Sequence, residues 1–196
     1  MAMRLKSKWH KKGPKALDDV AVTAGYIAFR VARSTVDEMY GKGFNFATPQ
    51  ALYEAIGEFS FFLLQLAGVQ AYQQLGEAAF APFVQVMAGK IADTLADNQE
   101  EGVAPQAREQ LIAKINQRLA AYAEFDYPNG AVSYPALRYL GHVMEEVLAI
   151  ADNRWLAEQV VEVEAPAMIK QFNKGLADLF AQYDGAADLD AHQENL

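Results

Sequence analysis

Apolar positions recur at helical spacing along nearly the whole chain. Beyond Gly13-Pro14, the residues Val20, Ala24, Ile27, Ala28, Val31, Thr35 and Met39 predict a helix from residue 15 to near residue 40. Asp18 and Asp19 fall in its first turn, where the helix dipole favours acids, and Gly41-Lys42-Gly43 ends it. Thr48-Pro49 is a restart signal, with Thr as N-cap and Pro at the first helical position. Residues 59–89 then carry a single charge, Glu77. Phe59, Phe61, Phe62, Leu63, Leu64, Leu66, Val69, Tyr72 and Leu75 cover every side of a helix, and such a segment is expected to be enclosed by protein on all faces. Gly76 and Pro82 divide it from a second apolar helix carrying Phe83, Val86, Met87, Ile91 and Leu95. A membrane span competes with this reading. Its longest charge-free run, residues 59–76, holds Ser60, Gln65, Gln70, Gln73 and Gln74, which are costly in lipid. The expectation is a buried hairpin or a subunit interface, with Phe61, Phe62, Leu66, Val69, Tyr72 and Phe83 as the interface residues.

Residues 98–104 form a polar linker, and Pro105 is expected to open an amphipathic helix. Leu111, Ile112, Ile115, Leu119 and Tyr122 line one face, with Arg108, Lys114, Gln117 and Arg118 on the others. Tyr127-Pro128-Asn129-Gly130 is a turn, and Ser133 is placed to cap a helix running through Leu137, Leu140, Val143, Met144, Val147 and Leu148. A further helix runs from beyond Asn153 to Glu164, where Pro166 kinks or restarts it. Met168, Ile169, Phe172, Leu176, Leu179, Phe180 and Tyr183 then make the last apolar face. Val160-Val161-Glu162-Val163-Glu164 alternates like a strand but has no partner strand, so it reads as helix. The fold class predicted is all-α, about six helices in a helix-turn-helix or bundle architecture.

Composition narrows the chemistry. At 196 residues and 52% hydrophobic, the chain suits one domain able to bury roughly 70% of its unfolded surface. The absence of cysteine excludes disulfides, thiolate metal sites and thiol catalysis. A di-iron bundle needs Glu-x-x-His on two helices, but Ser7, Tyr139 and Leu189 precede His10, His142 and His192 by three. His142 lies near Glu145 and Glu146, a pairing that reads as surface before it reads as ligand. No serine stands in a Gly-x-Ser-x-Gly elbow, and Val36 and Val84 replace the first glycine of a P-loop ahead of Gly41-Lys42 and Gly89-Lys90. No catalytic residue, metal or cofactor is expected, and the chain reads as non-enzymatic.

Charge is segregated. The net charge is −8, but Arg4, Lys6, Lys8, Lys11, Lys12 and Lys15 occupy the first fifteen residues without an acid, leaving residues 16–196 at −14. The last thirteen residues add Asp184, Asp188, Asp190 and Glu194 without a base. The layout is therefore a basic arm (1–14), a helical domain (15–183) and an acidic tail (184–196). The arm lacks the apolar core of a secretory signal. Its expected partner is an anionic polymer, with Trp9 able to stack or wedge between bases while the cations neutralise phosphates. A solvated terminus, a lipid headgroup layer and the acidic body of a neighbouring subunit are the competing readings. Arg30 and Arg33, three apart among apolar neighbours, either pair with Glu54 and Glu58 or face an external anion.

A Lys/Arg arm with one Trp, followed by a Cys-free, Ala- and Gln-rich helical body, resembles the coat proteins of filamentous archaeal DNA viruses. That resemblance implies a helix-turn-helix coat subunit, pairing with itself or a sister protein around double-stranded DNA in a virion. Arg4, Lys6, Lys8, Lys11, Lys12 and Lys15 would contact phosphates, with Arg30 and Arg33 as additions. The alternatives are a helical adaptor docking on a partner protein, cytoplasmic in that case, and a small-molecule sensor or carboxylate-metal enzyme with its pocket in the apolar hairpin.

Overall fold

The apolar run becomes one long helix at the centre of an all-α fold. In a computed structural model, residues 15–99, 102–148 and 155–183 are described. The elements are α1 (Leu17–Gly41), α2 (Pro49–Leu75), α3 (Glu77–Asp97), α4 (Arg108–Tyr122) and α5 (Tyr134–Leu148), then α6 (Leu156–Gln159), a π-helical turn (Val160–Glu164) and α7 (Ala165–Phe180). The last three form one continuous rod, which makes six rods among the described residues. Helices α1, α2 and α3 pack on one another, α4 and α5 cover α2 from outside, and α7 closes the side of α1.

Helix α2 is long and apolar enough to cross a membrane, and 78% of its most apolar window is buried inside this fold. Phe59, Phe61, Phe62, Leu63, Leu64 and Leu66 are all buried, on every side of the helix. Burying each such side chain contributes about 1.5–3 kcal/mol. Phe62 meets Tyr122 of α4 edge-on at 5.3 Å, and Phe83 of α3 meets Phe180 of α7 at 5.5 Å. These contacts correct the assignment of Phe61, Phe62, Leu66 and Phe83 to a subunit interface. The chain encloses them itself, because α1, α4, α5 and α7 supply the covering surface that the hairpin lacks. Val69 is half-buried and Tyr72 exposed, its ring set edge-on to Phe80 at 6.0 Å.

Several local signals act as expected. The Thr48 hydroxyl accepts from the Ala51 N–H at 3.1 Å, capping α2. Gly76, at φ 92°, is the single residue between α2 and α3, a conformation a side chain would strain. Helices α1 and α3 approach so closely that a Cβ at Gly25 would stand 3.0 Å from the Lys90 Cβ. The alanines flanking it, Ala21, Ala24, Ala28 and Ala32, are buried on the same side.

Other signals act differently. Pro82 lies inside α3, since it removes only one early helical N–H and Glu77 has already begun the helix. Helix α4 starts at Arg108 rather than Pro105. The Gln99 side chain pairs with both backbone groups of Gln106, at 3.1 and 3.3 Å, and holds it out of the helix. Ser133 gives its backbone carbonyl to Leu137, but its hydroxyl is buried without a hydrogen-bond partner and does not cap the helix. The alternating Val-Glu segment is the π-helical turn, in which Ala165 N–H reaches back five residues to Val160 O just ahead of Pro166. The widened turn makes room for the proline ring.

Leu66→Ala should therefore cost about 2–5 kcal/mol of stability in a urea titration and leave the molecular mass in solution unchanged. Loss of assembly at undiminished stability would return Leu66 to an interface.

Candidate functional site

The positions singled out as nucleic-acid contacts divide into two groups. Arg4, Lys6, Lys8, Trp9, Lys11 and Lys12 lie outside the described residues. Lys15 is 6% exposed, and its N–H donates to Gln182 O at 2.9 Å, beside a parallel bridge to Tyr183. This corrects its assignment as a phosphate contact, since burial keeps its side chain from a surface polymer. The same bridge fixes the root of the arm next to the root of the acidic tail.

Arg30 and Arg33 lie on the outer side of α1 and do not share a site. The Arg30 guanidinium stands 5.9 Å from the Tyr26 ring centroid and borders a crevice of about 220 Å³ with Ile27, Val31, Ser34 and Gln171. Arg33 is half-exposed, 4.0 Å from Asp37 one turn on, and lines a separate cavity of about 310 Å³. Their expected pairing with Glu54 and Glu58 does not form. Glu54 accepts from Gln50 Nε2 at 2.6 Å, and Glu58 faces α4 on the far side of α2.

Glu58 is the centre of a charge cluster that sequence reasoning missed. It is fully buried and accepts from Arg118 Nε at 2.7 Å, Arg118 Nη2 at 3.1 Å and Lys114 Nζ at 3.1 Å. Arg118 Nη1 also donates to the Tyr139 hydroxyl of α5 at 3.2 Å. Burial acts to lower the Arg118 pKa, but the Glu58 hydrogen bond and charge overcome it and hold the guanidinium above its ordinary value. Beside it the Tyr122 hydroxyl is buried without a hydrogen-bond partner. Burial first, and then the Glu58 charge, push its pKa well up. The available signal was the i, i+4 spacing of Lys114 and Arg118, a two-cation face with one acid to find. The cluster ties α2, α4 and α5 together and pairs the buried carboxylate with two cations.

A second buried carboxylate sits in the π-helical turn. Glu164, 2% exposed, accepts from Lys42 Nζ at 2.7 and 2.9 Å and from Gln159 Nε2 at 2.8 Å. This pair locks the end of α1 to the start of α7. His142 Nδ1 lies 3.1 Å from Glu145 Oε2 on the exposed face of α5, and no third His, Asp or Glu joins them among the described residues.

Arg33 also borders a cavity of about 310 Å³. It opens between the second half of α1, the connection into α2 and the first two turns of α2, closed by Asn98 and Val103. No protein-family model, no curated protein and no solved structure matches this chain.

Two outcomes check the electrostatics. Arg118→Met, which strips Glu58 of its bidentate partner, should cost about 3–5 kcal/mol in a urea titration, and adding Glu58→Leu should recover much of the loss. Tyr127 donates to Tyr122 O at 3.2 Å, and burial pushes its pKa up to about 12 against a lowering hydrogen bond from Gln65. Its folded value lies above the unfolded one of about 10, so its stabilisation is complete below pH ~10 and lost as pH rises towards 12. A tyrosinate absorbance titration of the parent minus Tyr127→Phe should place that ionisation near pH 12.

Proposed function

We propose that this is a non-enzymatic, nucleic-acid-associated structural protein whose basic arm binds duplex DNA through its phosphates. The observation that carries the reading is the segregation of charge, with the cations of the arm on a body of −14. A body of that sign repels a polyanion, so contact is confined to the arm and to whatever surface faces away from the acids. The Lys15 backbone bond to Gln182 supports this division, since it sets a fixed point from which the arm departs. Lys15 itself is buried, which leaves Arg4, Lys6, Lys8, Lys11 and Lys12 as the phosphate contacts and Trp9 as the stacking group. Arg30 and Arg33 are both exposed on α1, where a polymer that follows the body would meet them.

Packing against further copies or a sister subunit is part of the same reading. It rests on the exposed rim of the hairpin, Tyr72 and Phe80, rather than on the buried phenylalanines.

Five phosphate contacts release condensed counterions, so log affinity for a short duplex should fall with log salt at a slope of about −4.5. Fluorescence anisotropy across a salt series measures it. Deleting residues 1–12 should bring the slope close to zero with the circular dichroism spectrum unchanged, and sequence preference should be small because phosphates carry none. Undiminished binding by the truncated chain, or no binding by the full chain at low salt, overturns the proposal in favour of a protein-docking adaptor.

A further inference from the structure

Helices α1 and α7 lie antiparallel, tied by Lys15 to Gln182 at one end and by Lys42 to Glu164 at the other. They come close where a Cβ at Gly175 would stand 3.5 Å from the Ile27 side chain. One turn earlier along α7, at Gln171, they part around a crevice of about 220 Å³, with Ile27 and Val31 as its apolar floor and Arg30, Ser34 and Gln171 as its polar lining.

The charges around this crevice are unusual for the body that carries them. Residues 16–196 hold a net −14, yet Arg30, Lys90, Arg138, Lys170 and Lys174 form no ion pair among the described residues. Of these, Arg30 lines the crevice, and Lys170 and Lys174 stand exposed on α7 to either side of Gln171 in the chain. Arg30 has no acid within one turn, since Tyr26, Ile27, Arg33 and Ser34 occupy the neighbouring places on the helix surface. Lys170 and Lys174, four apart, repel each other, and Pro166, Ala167 and Asn173 offer Lys170 nothing in exchange. Asp178 follows Lys174 by four, the weaker order for a helical ion pair, and no pair forms. The Arg30 guanidinium stands over the Tyr26 ring at 5.9 Å, a contact made without a hydrogen bond, so its N–H groups remain donors. The Gln171 amide is exposed and makes no hydrogen bond among the described residues. The Ser34 hydroxyl is already taken, since it donates to Glu38 Oε1 at 3.4 Å.

We propose that this crevice binds the phosphate group of a small phosphate monoester. Arg30 and Gln171 donate to the phosphate oxygens, Lys170 and Lys174 neutralise its charge, and a compact apolar body rests on Ile27 and Val31. A monoester carries about −1.5 to −2 at neutral pH and several strong acceptor oxygens, which calls for more than one cation. The guanidinium fork suits such oxygens, and the flexible ammonium groups act as point charges beside it. A singly charged acid would leave most of this positive charge unanswered. The site is independent of the arm and lies outside the α2–α3 hairpin, where the sequence had placed a pocket.

The test is a nuclear magnetic resonance titration of the full chain, at constant ionic strength, with phenyl phosphate and with phenyl sulfate, which has the same shape and a single charge. Saturable shifts centred on Ile27, Arg30, Val31 and Gln171 are expected with phenyl phosphate. Phenyl sulfate should bind about tenfold more weakly, as expected for the loss of charge-assisted hydrogen bonding. Arg30→Gln, at an exposed position, should weaken phenyl phosphate by about tenfold, and Lys170→Gln with Lys174→Gln by a similar factor. Arg138→Gln, which removes an unpaired cation of α5, should leave the affinity unchanged. No saturable shift with phenyl phosphate overturns the proposal, as does equal affinity for the two esters. Undiminished binding by Arg30→Gln, or equal weakening by Arg138→Gln, overturns it as well, since the anion would then answer only to the overall charge. Deleting residues 1–12 should leave this binding unchanged, which separates it from the fate of the DNA-binding reading.

Discussion

Everything in this fold is arranged around the need to enclose α2. A helix that is apolar on all sides cannot lie on a surface, because whichever face met water would forfeit about 1.5–3 kcal/mol for each large side chain left exposed. Two neighbours are too few to cover a cylinder. The chain therefore brings α1 and α3 against one side, α4 and α5 against another, and closes the remainder with α7. The edge-on pairs of Phe62 with Tyr122 and of Phe83 with Phe180 are the points where this wrapping seals.

The charged groups follow from that enclosure. Glu58 sits one residue before the uncharged stretch, and closing α4 over α2 buries its carboxylate completely. An isolated buried carboxylate would be strongly destabilising, so the covering helix must carry cations, and Lys114 with Arg118 supplies two on one face. Glu164 and Lys42 solve the same problem at the other end, where the widened turn ahead of Pro166 carries a carboxylate into the fold. These pairs fix which helix lies against which. A uniformly apolar contact surface would do that less sharply.

The same geometry separates the surfaces free to meet partners. The bond between Lys15 and Gln182 sets the two ends of the helical domain side by side. The recess at the start of α2 lies where the 42–48 connection crosses from α1, and the short, partly apolar link leaves space that the helices themselves do not fill.

The amino-acid order by itself determined the helical class, the bounds of α1, the capped start of α2 at Thr48-Pro49 and the break at Gly76, because spacing, capping chemistry and glycine freedom act over a few residues. It also determined the segregation of charge, which needs no fold to exist. Only the tertiary structure decided that Phe61, Phe62, Leu66 and Phe83 face this chain's own helices. Apolarity states that a side chain must be covered, not by what. The same holds for Arg30 and Arg33, whose expected partner Glu58 was claimed by Arg118 from sixty residues further along. It holds too for Lys15, buried by a contact with residues at the other end of the chain. Long-range pairing depends on which surfaces the packing of α2 brings together, and a cavity depends on where that packing falls short. Neither quantity resides in local sequence.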